Sequence, residues 1–82
     1  MSLHAYHVSR AIEKKDAPFY ALIMAAMLKA DSDNTAKLKA AWPEVWAELE
    51  QRYDAPLGVI PADGDVNMEV LRKQIASLEK AS

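Results

Sequence analysis

Tyr6, Arg10 and Lys14 follow one another at intervals of four residues. On a helix that spacing puts an aromatic face, a guanidinium and an ammonium in one line, with His7 beside them. Such a line can stack a base and pair its phosphates through charge-assisted donors. Tyr6, His7, Arg10 and Lys14 are therefore the candidate ligand-binding residues, and a nucleotide or cyclic nucleotide is the ligand class they suit. The competing structural reading has the Tyr6 ring packed on the core and Arg10 and Lys14 as solvated surface charge.

Other chemistry finds less support. His4 and His7 share a helix face, but no cysteine exists and no carboxylate lies on the adjoining turns until Glu13, so a transition metal would lack its third and fourth ligands. Asp31, Asp33 and Thr35 resemble the start of a calcium loop, yet Ala36 and Trp42 occupy the positions that require Gly and Glu. Asp63, Asp65 and Asn67 fail the same test, with Met68 and Gln74 in those places. His7 and Ser9, two apart, point to different sides of a helix and make no nucleophile–base pair. Glu44, Glu48 and Glu50 read as a solvated helix face, and two isolated glycines cannot build a phosphate-cradling loop. The expectation is a non-enzymatic protein with no metal and no cofactor.

The chain has 82 residues, with ten Lys and Arg against twelve Asp and Glu, and a net charge of -2. No global cationic field favours nucleic acid or an anionic membrane, so both are disfavoured partners. Absence of cysteine suits a reducing compartment, and a cytoplasmic location is expected. The longest apolar run, from Phe19 to Leu28, is about half of the roughly 20 residues a membrane helix needs. A single helical domain over 1–82 is expected, and a domain this small buries only about two-thirds of its unfolded surface, which raises the expectation of a homo-oligomer.

The elements that must position these residues are helices. Ala, Leu, Glu and Lys dominate, and no stretch alternates apolar with polar over a strand's length, so the fold class is all-α, a compact small bundle of about four to five short helices. The first helix spans about 2–14 with Ser2 as N-cap and carries the Tyr6 line on a thin apolar face. Asp16 is the expected N-cap of a second helix with Pro18 in its first turn, and 19–30 is apolar almost all round, marking it as the centre of the core. Asp31 to Asn34 form a turn-and-cap cluster, with a third helix from near Asn34. Pro43 should break or kink the chain after Trp42 before a fourth helix to about Tyr53.

The loop over 54–65, with Pro56, Gly58, Pro61 and Gly64, also contains Leu57, Val59 and Ile60 and is expected to lie against the bundle. A C-terminal helix over 66–80, capped by Asp65, aligns Met68, Leu71, Ile75 and Leu78 in a two-heptad seam. The first expectation is that this seam packs on its own bundle; the alternative is a subunit contact, which makes these four residues the candidate oligomer interface. The expected core is Phe19, Leu22, Ile23, Met27, Leu38, Trp42, Val45, Leu49 and Tyr53.

The stretch FYALIMAAMLKADSDNTAKLKAAWPEVWAELEQRYDAPLGVI, and AAWPEVWAELEQRYDAP within it above all, resembles short helical proteins encoded by tailed phages and prophages. It covers about half the chain, from Phe19 to Ile60, and carries no catalytic signature and no site residues to transfer. The resemblance implies a binding role in host takeover or counter-defence, in the host cytoplasm, by masking a host protein or sequestering a nucleotide signal. The leading expectation is stoichiometric binding of a host protein by a small homo-oligomer. The alternatives are a sponge for a nucleotide or cyclic nucleotide and a nucleic-acid-binding regulator.

Overall fold

The computed structural model describes residues 2–81 and shows a small all-α fold of five α-helices, with no strand among the described residues. The helices are α1 (Leu3–Glu13), α2 (Phe19–Lys29), α3 (Ser32–Ala41), α4 (Pro43–Asp54) and α5 (Met68–Ala81), with two 3-10 turns, Pro56–Gly58 and Pro61–Asp63, between the last two. They fall into two compact units, one ending at Ala41 and the other beginning at Trp42.

In the first unit, the Ser2 hydroxyl accepts from the Ala5 amide at 3.0 Å and caps α1 as its sequence position implies. The start of α2 corrects the expected cap. Pro18 itself stands at the N-cap, at φ -60° and ψ 147°, and its carbonyl accepts from the Ala21 and Leu22 amides, while Asp16 lies outside the helix. The reason is steric: a proline ring disfavours helical backbone at the preceding residue, so Ala17 stays out of the helix and the first turn slips past Asp16. An extended Ala30 then ends α2, and the Asp31 carboxylate takes the Asn34 amide at 2.8 Å, so α3 begins at Ser32, two residues before the expected start. Helices α2 and α3 pack together as a helical hairpin.

In the second unit, Trp42 at φ -132° and ψ 66° is non-helical and Pro43 opens α4, so the step between them is a break. Val45 and Leu49, four apart on α4, are buried together with Ile60 from the loop. The loop thus supplies one of the few buried side chains. Both α4 and α5 contact the first 3-10 turn, where Leu57 and Gly58 are successively left-handed at φ 53° and φ 73°. Glycine adopts that conformation freely; a leucine there costs about 1–2 kcal/mol and must be held by its surroundings. The α5 cap is also corrected: Asn67 Oδ1 accepts from the Glu69 and Val70 amides at 3.1 and 3.2 Å, and Asp65 lies outside.

Among the described residues, four hydrophobic side chains are buried: Met27, Val45, Leu49 and Ile60. Leu22, Ile23, Leu38 and Trp42 are half-buried, whereas Phe19 is 58% and Tyr53 75% exposed, contrary to their expected places in the core. Each sits at or next to an end of its helix. Among the described residues, no helix is long and apolar enough to cross a membrane.

Candidate functional site

Helix α1 presents the candidate ligand residues from an exposed backbone. Tyr6, His7, Arg10 and Lys14 are all exposed, and Tyr6 and His7 meet edge to face with ring centroids 5.3 Å apart. Tyr6 is 55% exposed, so its ring is not a core side chain. Arg10 turns back along its own helix to Glu13, Nε to Oε1 3.3 Å, an exposed i, i+3 pair. A shallow recess of about 270 Å³ is lined by Ser2, Ala5, Tyr6 and Ser9 and does not include Arg10 or Lys14. Three of the four thus lie on α1 and Lys14 is its C-cap, with Tyr6 joined to His7 and Arg10 engaged with Glu13.

A larger concavity lies between α1 and α2. It measures about 380 Å³, has an apolar floor of Ile12, Leu22, Ala25 and Ala26, and carries Ser9, Glu13 and Lys29 on its rim. It stays open because no Cα of α1 comes within 8 Å of α2 or α3 among the described residues, and no residue of α1 is buried. A second hollow of similar volume is lined by residues of α2 and α3, with Lys29, Asn34 and Lys37 among its polar lining. Neither holds a cluster of ionisable groups, and no group of three His, Asp or Glu suited to a metal occurs among the described residues.

The second unit contains a polar constellation that sequence reasoning missed. The i, i+4 spacing of Glu48 and Arg52 implies one contact, which forms at 3.1 Å, but the guanidinium also makes a two-pronged contact with Asp63, Nη1 to Oδ2 2.8 Å and Nη2 to Oδ1 2.9 Å. Nη1 donates in addition to the Gly58 carbonyl at 2.9 Å, and Asp63 Oδ2 accepts from the Ile60 amide at 3.0 Å. Hydrogen bonds from Arg52 first, and from the Ile60 amide second, push the Asp63 carboxyl down to about 2. The guanidinium is held charged more firmly by Asp63 first and Glu48 second. This clamp ties the loop to α4 and positions Ile60. The signal that could have found it is a loop rich in Pro and Gly with apolar residues, whose folded path needs a polar anchor on the preceding helix.

On α5, Met68, Leu71 and Ile75 are half-buried and Leu78 is 71% exposed, so the seam emerges from its own unit towards its C-terminal end.

No known protein family, no curated protein and no solved structure matches the chain.

Proposed function

We propose that this protein is a non-enzymatic, phage-type interaction protein that binds a host protein stoichiometrically, as a small homo-oligomer, in host takeover or counter-defence. One observation supports the reading above the others: the large apolar side chains Leu3, Phe19, Tyr20, Leu28, Tyr53 and Leu78 are each more than half exposed. Exposed apolar and aromatic surface of that extent marks protein-binding faces, and tyrosines are favoured anchors in them. The test is recovery of a tagged chain from bacterial host cells, followed by reconstitution with the purified partner. A defined complex that loses at least tenfold in affinity on Tyr20→Ala or Tyr53→Ala supports the reading; absence of any stoichiometric partner retires it.

A second reading, sequestration of a nucleotide or cyclic nucleotide, is favoured by the exposure of the Tyr6 ring beside His7, Arg10 and Lys14. A bound phosphate would have to draw Arg10 away from Glu13. Calorimetry against linear and cyclic nucleotides tests it. Arg10→Ala should weaken binding about ten- to a hundredfold, the value of one charge-assisted contact, while Lys37→Ala on α3 changes little.

A further inference from the structure

We infer that the Pro56–Gly58 turn is a latched seat for α5, held in shape by Arg52, from which α5 detaches as a unit while α4 stays folded.

Helix α5 is fourteen residues long, yet among the described residues its backbone comes within 8 Å, Cα to Cα, of one other element, the Pro56–Gly58 turn. That turn is strained. The Val59 amide donates to the Pro56 carbonyl at 3.1 Å and closes a β-turn whose two central residues, Leu57 and Gly58, both have positive φ, 53° and 73°. Glycine, Asn and Asp supply that conformation readily, and leucine resists it. Backbone in so sparse a region persists only where its surroundings over-determine it. Arg52 does so from the adjoining helix: Nη1 donates to the Gly58 carbonyl at 2.9 Å, and the same guanidinium grips Asp63 further along the loop. Gly58 also rests directly on that residue, since a Cβ added to it would stand 3.8 Å from the Arg52 carbonyl oxygen. One side chain of α4 therefore fixes both the turn and the loop beyond it.

Once Arg52 lets go, Leu57 is free to leave its left-handed conformation and the turn loses the shape on which α5 sits. The rest of the unit has less to lose. Its buried side chains, Val45, Leu49 and Ile60, belong to α4 and the loop, whereas Met68, Leu71 and Ile75 of α5 are only half-buried. Few buried apolar contacts are what allow a segment to open by itself. Detachment bares Met68, Leu71 and Ile75 in line with Leu78, which is already 71% exposed. The latch thus governs when that stripe can be reached.

The inference goes beyond the proposed function, because it concerns the single chain with or without a host protein or a second copy. Hydrogen exchange on the full chain tests it, since a local opening shows as one fast segment within a slower structure. In the wild type, the α5 amides between Arg72 and Leu78 should exchange at least about tenfold faster than the α4 amides between Ala47 and Gln51, while remaining protected. Arg52→Lys keeps the charge without the two-pronged grip and should speed α5 about three- to tenfold, with α4 far less affected. Gly58→Ala has room for its methyl group but not the backbone freedom, and should speed α5 about five- to thirtyfold. Glu48→Gln removes only the partner of Arg52 within α4 and should leave α5 within about twofold. A single shared rate for α4 and α5 in the wild type overturns the latch, and that measurement decides alone should a variant lose its helical circular dichroism. The latch is equally overturned by α5 rates that ignore both Arg52→Lys and Gly58→Ala, or by Glu48→Gln loosening α5 as much as they do.

Discussion

Arg52 serves three partner residues at once: Glu48 one turn back on its own helix, the Gly58 carbonyl and both oxygens of Asp63. Only the first of these follows from spacing, since i, i+4 partners meet on any helix. Asp63 lies eleven residues further on, and its approach depends on the left-handed Leu57–Gly58 step that turns the loop back. The clamp has an acid signature. The Asp63 carboxyl titrates near 2 in the fold, against 3.8 when unperturbed. A depressed carboxyl stabilises the fold above the unfolded value and loses that contribution as pH falls through the folded one. The clamp's contribution should therefore be complete above about pH 4 and disappear between about pH 4 and pH 2. Asp63→Asn should lower the urea midpoint at pH 7, with the gap to wild type closing as pH approaches 2. A gap that stays constant over that range would show that the ion pair adds nothing.

At the scale of elements, where a helix starts depends on the backbone open to the residues just before its first turn as well as on the polar side chains there. Ser2 and Asp31 cap as their positions imply, each accepting from the amide three residues on. Asp65 loses to Asn67 because Gly64, at φ 74° and ψ -152°, sends the chain onward through a half-buried Val66 before the helix can start. That backbone region is open to glycine almost alone. Asn67→Ala should thus cost about 1 kcal/mol in urea unfolding, the usual value of a side-chain N-cap, and Asp65→Ala no more than about 0.5 kcal/mol. The reverse order would restore Asp65 as the cap.

For the whole molecule, burial is scarce and its position matters. Met27 is 3% exposed and Phe19 58%, although both belong to the most apolar helix of the chain. Met27→Ala should destabilise by about 2 to 5 kcal/mol, as expected for a closed site, and Phe19→Ala by well under half of that. Equal losses would place Phe19 in a core. On the proposed self-association, part of the stability comes from contacts between copies. The thermal midpoint should therefore rise with protein concentration, because anything that binds only the folded chain stabilises it by mass action. Scanning calorimetry over a hundredfold concentration range checks this, and a constant midpoint would assign the stability to the single chain.

The all-α class, an interruption at Trp42–Pro43, the Ser2 cap and a turn-and-cap cluster over Asp31 to Asn34 are legible in the sequence. They depend on periodicity and on steric rules that act within a turn or two. Tertiary structure decided which apolar residues are inside. Phe19 and Tyr53 fit the inward spacing of their helices yet stand in the open, while Ile60, in a segment without periodicity, is buried. Spacing identifies the face of a helix, but burial requires another element opposite that face, and where the neighbour ends is a property of the packed units. The Arg52–Asp63 clamp and the open α1/α2 groove belong to the same class: each exists only because two segments distant in sequence come to rest at a particular separation.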